Sequence, residues 1–254
     1  MPLAIVTPTR RRMQALYEQA TRIAPQLEPD DCWVIVVDGD IPPQGKLLTA
    51  INSLIGEHRL YWVLLHYLRQ AVPVARVSHA RNVGGAMAPA GFDIVEVDDH
   101  DPVEPKTLEL VRKAFDDGAD YVFGNYRQRS FIYGHPSGRV MVEPWQDVRR
   151  SYSPGGFERN DIGADGIGLR AIRRSLWDKL GGWSLDVWPQ ADKDFALRAE
   201  RAGASIACLP EFLCTVTIEP DSLSATYRGI NPLKEIPLEP DYEIIQSPVA
   251  EAVS

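Results

Sequence analysis

The sequence has few cysteines and no long hydrophobic run, and both absences limit the kind of protein it encodes. Its three cysteines, Cys32, Cys208 and Cys214, show neither metal-ligand spacing nor a disulfide framework. Such a set is typical of buried thiols in a reducing compartment, so we expect a cytoplasmic protein. The most apolar run, 60–68, is too short to cross a membrane and is interrupted by His66.

The sequence also lacks an excess of basic residues. Its net charge is −8 at pH 7, so the protein as a whole does not attract nucleic acid or an anionic membrane. Binding of a nucleotide diphosphate would therefore need local arginines or lysines, or a metal ion. The first residues enter a strand-like run directly, so we expect no signal peptide. A chain of 254 residues suffices for one α/β domain or two small ones.

Apolar runs alternate with helical stripes over the first half of the chain. The runs 3–7, 32–37, 92–97 and 120–124 predict buried strands, and 10–24, 47–55 and 104–116 predict helices, the first capped by Thr9. The run 60–68 fits either a strand or a helix, and 74–77 predicts a short strand before a helix capped by Ser78. Strand–helix–strand order implies parallel strands joined by right-handed crossovers.

The second half of the chain has a different pattern of predicted strands, helices and loops. Alternation over 130–142 predicts a hairpin, and glycines over 145–168 predict a long loop. The patterns also predict helices over 169–180 and 192–202 and strands over 205–209 and 212–218. Residues 228–254 are rich in proline and glutamate and predict an extended or disordered tail.

An acidic turn follows one of the predicted strands. Asp98, Asp99, His100 and Asp101 come directly after the run 92–97, at the strand end where open α/β sheets place ligands. Carboxylates with one imidazole suit Mg²⁺ or Mn²⁺, and such an ion would neutralise a diphosphate. The alternative is a solvated acidic turn that caps the next helix.

Six short motifs carry a resemblance to a known enzyme family. In chain order they are Val6-Thr7-Pro8-Thr9-Arg10, Val36-Val37-Asp38-Gly39-Asp40, Ala80-Arg81-Asn82-Val83-Gly84, Val97-Asp98-Asp99-His100-Asp101, Gly181-Gly182-Trp183 and Asp192-Lys193-Asp194-Phe195-Ala196-Leu197-Arg198. In this order and spacing, over about 3–224, they resemble the family-2 glycosyltransferases. The resemblance implies the GT-A fold, a Rossmann-like α/β/α sandwich around a mostly parallel central sheet. It implies one domain over 1–227, with a nucleotide-sugar half (1–125), an acceptor-side half (126–227) and the tail 228–254 outside it.

The resemblance also implies an activity and roles for particular residues. The activity is transfer of a sugar from a nucleotide-diphosphate sugar, UDP-linked, to a hydroxyl of a sugar or glycan acceptor, with inversion and with Mn²⁺ or Mg²⁺. The implied roles are donor binding for Thr7, Pro8, Arg10, Asp38, Arg81, Asp98 and Asp99; general base for Asp192; acceptor side for Trp183 and Asp194; and metal ligation for Asp98, Asp99, His100, Asp101 and Glu219.

The sequence departs from the family pattern at three places. The metal motif fits either Asp98-Asp99-His100 or Asp99-His100-Asp101. Ala191 stands where the family has a glutamate, and Glu219 stands where it often has a histidine. Each motif residue also has a plainer interpretation: Arg81 as a surface arginine, Asp38 as a turn residue, Asp192 as a helix cap, Trp183 as packing.

Two other functions remain as alternatives. A sugar-phosphate nucleotidyltransferase shares the strand-end acids, but its glycine-rich first loop has no counterpart in Thr7-Pro8-Thr9-Arg10. A non-catalytic nucleotide- or carbohydrate-binding module would tolerate the changes at Ala191 and Glu219. Asp194, two positions after Asp192, is the competing candidate for the base.

Overall fold

The computed structural model describes residues 1–10, 12–39, 45–66, 76–132, 141–142, 144–159, 168–187, 190–218 and 241–246. Within them, ten strands form one mixed sheet with helices on both faces. The prediction of an α/β/α sandwich around a sheet that is parallel in its central part is confirmed. No helix in these ranges has both the length and the apolarity that crossing a membrane requires.

The strands follow the buried apolar runs of the sequence. They are β1 Leu3–Thr9, β2 Cys32–Asp38, β3 Arg59–His66, β4 Asp93–Val97, β5 Tyr121–Ile132, β6 Met141–Val142, β7 Gln146–Val148, β8 Leu169–Ile172, β9 Ile206–Ile218 and β10 Asp241–Gln246. Their order is β10-β3-β2-β1-β4-β8-β5-β6, with β7 and β9 also paired to β5. Strands β3, β2, β1 and β4 run parallel, so their carboxyl ends meet at one edge.

The helices cover the two faces of the sheet. They are α1 Met13–Ile23, α2 Lys46–Ile55, α3 Arg76–Met87, α4 Thr107–Asp116, α5 Gly156–Arg159, α6 Arg174–Leu180 and α7 Ala191–Arg201. Alternate residues of β1 divide between the faces: Leu3 and Ile5 pack with α1, α2 and α4, and Ala4 and Val6 pack with α3. Helix α7 packs with β5 and β8 in a third apolar cluster.

Helix α3 lies unusually close to β1 and to α6 because it has a glycine at each contact. A Cβ added to Gly84 would lie 2.3 Å from Val6 Cγ1, and one added to Gly85 would lie 2.5 Å from the Trp177 ring. Real Cβ atoms do not pack at such distances, so only glycine permits this approach. The close packing holds the first half of α3, including Arg81, against the edge where the parallel strands end.

Three predictions for the first half of the chain need correction. Helix α1 begins at Met13, and Thr9 belongs to β1 rather than capping the helix. Residues 76–77 are helical and Ser78 lies inside α3, so the strand predicted at 74–77 is wrong for its last two residues; 74–75 fall outside the described residues. The segment 74–77 is too short for its sequence pattern to distinguish a strand from a helix.

The second half corrects three more predictions. Residues 169–180 are not one helix, because Leu169–Ile172 forms β8 between β4 and β5 and only Arg174–Leu180 is helical. The two strands predicted around Pro210 are one, β9, with register irregularities opposite Gly124–Tyr126. Within the tail predicted to be extended or disordered, Asp241–Gln246 is a strand that pairs antiparallel with β3, so these residues are extended and belong to the sheet.

Candidate active site

The candidate site lies where the carboxyl ends of β1 and β4 meet. Strand β1 ends at Thr9, whose hydroxyl donates a hydrogen bond to Asp99 Oδ2 at 2.7 Å. Gln19 of α1 supports the same turn, since its amide donates to the carbonyl oxygens of Asp98 (3.3 Å) and Asp101 (3.0 Å). Its amide oxygen also accepts from the backbone N–H of Val103 at 3.1 Å. The acidic turn is therefore held in place by β1 and α1.

Asp99 is buried within this turn and has several partners. Besides Thr9, its Oδ1 lies 3.4 Å from Arg12 Nη1 and 2.9 Å from His100 Nδ1. His100 Nδ1 also lies 2.9 Å from Arg12 Nη1, and one ring nitrogen either donates to the carboxylate or accepts from the guanidinium. Asp99 thus joins the ends of two strands to the cationic loop that precedes α1.

Arg81 joins the acidic turn to the start of α7. Its Nη2 donates to Asp98 Oδ1 at 2.9 Å, and its Nη1 donates to Asp192 Oδ1 at 3.1 Å. Burial alone would raise the pKa of Asp98, but the positive charges of Arg81 and Arg170 outweigh it and hold that pKa below its usual value. Arg81 is buried, so the interpretation as a surface arginine is wrong.

A second arginine lies beneath the first, inside the sheet. Arg170 of β8 bonds through Nη1 to Asp192 Oδ1, and its Nε lies 3.6 Å from Glu96 Oε2. Both Arg170 and Glu96 are 0 % exposed. Neither residue of this pair was predicted from the sequence. The available signal was the charge of Glu96 within a mostly apolar strand run and of Arg170 between apolar residues, since a buried charge needs a partner.

Trp183 completes the buried part of the site. Its indole N–H donates to Glu96 Oε1 at 2.6 Å, and the guanidinium carbons of Arg81 and Arg170 each lie 4.9 Å from the ring centroid. Its backbone exchanges hydrogen bonds of 2.7 and 2.9 Å with the Asn82 side chain. Trp183 is 2 % exposed, so in this structure it packs inside the domain and presents no open face to an acceptor.

The remaining predicted residues lie around this centre. Pro8 belongs to β1, Arg10 is exposed at its end, and Asp38 is buried at the end of β2. Thr7 is fully buried and accepts a hydrogen bond from the Trp33 indole N–H at 2.9 Å. Asp194 pairs with Arg198 of its own helix at 2.8 Å. Glu219 lies outside the described residues.

Asp192 occupies the first turn of α7 but does not cap the helix. The N-cap residue is Gln190, and no side chain makes a capping hydrogen bond. Both recorded bonds of Asp192, to Arg81 and Arg170, end on Oδ1. Its side chain is 27 % exposed, and no described residue donates to Oδ2. One carboxylate oxygen is thus anchored while the other stays available.

Within the described residues, the carboxylates of the acidic turn are bonded to partners other than a metal ion. Within the described part of the chain, no three His, Cys, Asp or Glu side chains are arranged to hold a metal ion. Asp98 binds Arg81, and Asp99 binds Thr9 and Arg12. Asp101 is buried, and its Oδ1 lies 3.9 Å from His100 Nε2. The donor chemistry suits Mg²⁺ or Mn²⁺, but the side chains point to other partners. The metal ligands named from the sequence stay a prediction.

Asp101 provides a test of the electrostatics of this turn. Burial raises its pKa from 3.8 to about 7, and the nearby Asp98 charge adds to the effect. Between pH 3.8 and about pH 7, Asp101 is ionised in the unfolded chain but still protonated in the folded protein. The free energy of unfolding therefore falls as the pH rises through this range. We expect the Tm of Asp101→Asn to exceed that of the wild type near pH 8, by on the order of a few degrees. Near pH 5 the difference should be smaller. Thermal unfolding with a chelator measures this; an equal difference at both pH values would contradict it.

Comparison with known proteins adds information on the fold. No protein-family model matches the chain, and no curated protein is similar to it in sequence. Among solved structures, S. aureus TarS (residues 1–349) has a TM-score of 0.61 at 16 % identity, covering 85 % of this chain and 60 % of that one. The same TarS fragment in complex with UDP gives a TM-score of 0.60 at 16 % identity, over 87 % of this chain and 61 % of that one.

A second similar structure comes from another organism. The mannosyltransferase PcManGT from Pyrobaculum calidifontis, in complex with GDP-Man and Mn²⁺, has a TM-score of 0.56 at 17 % identity, over 84 % of this chain and 56 % of that one. At such identities the likeness shows the fold alone. The chain has the GT-A fold. It spans less than two thirds of the length of these similar structures.

Proposed function

We propose that this chain is a glycosyltransferase that moves a sugar from a nucleotide-diphosphate sugar, UDP-linked, to an acceptor hydroxyl with inversion. The observation that carries the proposal is the bridge made by Arg81. It binds Asp98 at the end of β4 and Asp192 at the start of α7, which places a strand-end cation next to a partly exposed carboxylate. The GT-A fold, shared with TarS in complex with UDP, supports this assignment.

The donor would bind at the edge where the parallel strands end. A diphosphate needs positive charge, and Arg12 is 40 % exposed there while Arg81 lies just inside. A guanidinium binds two phosphate oxygens at once, so Arg81 would exchange its bond to Asp98 for bonds to the diphosphate. Asp38, at the end of the adjacent β2, would accept a hydrogen bond from the nucleobase.

The acceptor hydroxyl would lose its proton to Asp192. Oδ2 is the atom that accepts this proton, because Oδ1 is held by Arg81 and Arg170. The hydroxyl oxygen then forms a bond to the anomeric carbon as the bond from that carbon to the diphosphate oxygen breaks. Attack from the face opposite the leaving diphosphate inverts the configuration. Arg81 stabilises the charge that develops on the leaving group.

A divalent metal ion is a second possible source of positive charge for the diphosphate. The sequence predicts Mn²⁺ or Mg²⁺, and PcManGT was solved with Mn²⁺. Within the described residues the acidic turn does not assemble three ligands, so a metal ion would bind there only after its side chains rearrange. A carboxylate–metal arrangement would require Asp98 to leave Arg81 and a further ligand such as Glu219 to join it.

Nucleotide binding and product release test the proposal. We expect UDP to raise the Tm of the protein, because a ligand that binds only the folded state stabilises it, and GDP serves as the comparison. Calorimetry with UDP should then be run with Mn²⁺ and with a chelator. Equal UDP affinity with Mn²⁺ and with the chelator would contradict the predicted metal ion but not the proposed transferase.

Turnover decides between an enzyme and a binding module. A panel of UDP- and GDP-sugars, incubated with mixed sugar acceptors, is assayed for release of nucleotide diphosphate. Release from one donor supports the transferase. Binding of UDP with no release from any donor would instead favour the non-catalytic module, and binding of neither nucleotide would contradict both.

A further inference from the structure

We infer that Arg170, held by Glu96 inside the sheet, is a positioning residue that fixes the Asp192 carboxylate for proton transfer. The inference rests on the proposed function, since it assigns a partner to the base of that reaction. Neither Arg170 nor Glu96 belongs to the six motifs of the sequence. The two residues lie opposite each other in the pairing of β4 with β8.

The burial of this pair requires an explanation. Arg170 and Glu96 are both fully buried, and ionised side chains are costly to remove from water. A buried ion pair can be less stable than apolar residues of the same size. Within the described residues, Nη2 of Arg170 and Oε2 of Glu96 have no hydrogen-bond partner. Stability alone therefore gives no reason to place an arginine at this point of the sheet.

The position of Arg170 is fixed more firmly than that of Asp192. Its strand is hydrogen-bonded on both sides, with Arg170 opposite Glu96 of β4 and Phe123 of β5. The guanidinium lies over the Trp183 ring, and the Trp183 indole is itself bonded to Glu96. Strand pairing, ring stacking and an ion pair thus immobilise this cation.

Asp192, by contrast, begins a helix whose N-terminus has no side-chain cap. Its carboxylate contacts two arginines, Arg81 and Arg170, both through Oδ1. In the proposed reaction Arg81 turns toward the diphosphate, and Arg170 then remains as the anchor of Oδ1. Oδ2 stays directed to the acceptor, and the geometry of proton transfer depends on such an anchor.

The test compares Arg170→Met with a matched change elsewhere. Arg112→Met removes another arginine of the interior, which binds Asp31 near the opposite ends of β1 and β2. With the donor identified by nucleotide-diphosphate release, we expect Arg170→Met to lower kcat by about 10- to 100-fold, with donor KM changed less than about twofold. Arg112→Met should leave both constants unchanged below its Tm. Equal kcat in the wild type and Arg170→Met, or a loss in KM alone, would overturn the inference.

Two further variants keep the test valid if Arg170→Met does not fold. The double variant Glu96→Gln/Arg170→Met removes both buried charges and keeps an acceptor for the Trp183 indole, so it should fold and show the same fall in kcat. Arg170→Lys retains one cation and should recover part of the lost rate. Full activity in the double variant would overturn the inference.

Failure of the proposed function can be distinguished from failure of the inference. If the wild type releases nucleotide diphosphate from no donor, the function fails, and a double-mutant cycle in unfolding then tests the contact itself. Arg170→Met and Asp192→Asn are expected to be coupled by about tenfold in the unfolding equilibrium constant. Additive effects would show that Arg170 does not hold Asp192.

Discussion

Replacing Asp192 by asparagine is expected to lower the rate of sugar transfer by about 10²–10⁴-fold. Asparagine has nearly the same size and can still accept hydrogen bonds from Arg81 and Arg170, but its amide cannot take a proton from the acceptor. The charges of the two arginines lose part of their compensation, so we also expect a stability loss of about 1–3 kcal/mol. UDP binding should persist. Steady-state transfer rates, thermal unfolding and calorimetry with UDP measure the three quantities.

Asp194→Asn is the matched control for this experiment. Asp194 lies in the same first turn of α7, but its carboxylate is paired with Arg198 at 2.8 Å, away from Arg81. We expect its transfer rate to stay within a few-fold of the wild type. If Asp194→Asn is inactive with a normal melt while Asp192→Asn turns over freely, the base is Asp194 and the assignment is wrong.

Replacing Arg81 by methionine is expected to weaken UDP binding by about 10- to 100-fold, the effect of losing a hydrogen bond between charged groups. The change also leaves Asp98 without its bonded cation and Asp192 with Arg170 alone. Since both carboxylates are partly exposed, losing these charged hydrogen bonds costs about 1–3 kcal/mol of stability. Both effects are read below the Tm of the variant, by calorimetry with UDP and by denaturant unfolding.

Arg112→Met, the control variant for Arg170, also separates the loss of stability from the loss of UDP affinity. Arg112→Met breaks the bond to Asp31, and we expect a comparable stability loss with unchanged UDP affinity. Arg81→Lys keeps the charge but loses the fork that contacts two carboxylates, so its affinity should fall between those of the wild type and Arg81→Met. Wild-type UDP affinity in Arg81→Met would show that Arg81 does not contact the donor.

Some parts of the site could be predicted from the sequence for a clear physical reason. The run that ends at Val97 is apolar and the residues after it are acidic, so the strand and the polar turn at its end both follow from local composition. These features depend on residues that are neighbours in the chain.

Other parts could not be predicted because they depend on distant residues. The span 169–180 has helical periodicity, and only its pairing with β4 and β5 makes Leu169–Ile172 a strand. Once that strand is placed, Arg170 comes opposite Glu96. Thr9 resembles a helix cap in sequence, yet its hydroxyl binds Asp99, 90 positions along the chain. Local propensity gave no information on either contact.

The strand β10 has a consequence for how the chain reaches its native state. It covers the outer edge of β3 by antiparallel pairing, with Asp241 opposite His66 and Gln246 opposite Tyr61. While the chain is being synthesised, β3 emerges from the ribosome long before β10, and its edge then has unpaired N–H and C=O groups. Apolar residues of β3 such as Val63 and Leu64 make that edge prone to pairing with other nascent chains. Until β10 is synthesised, aggregation through this edge therefore competes with folding.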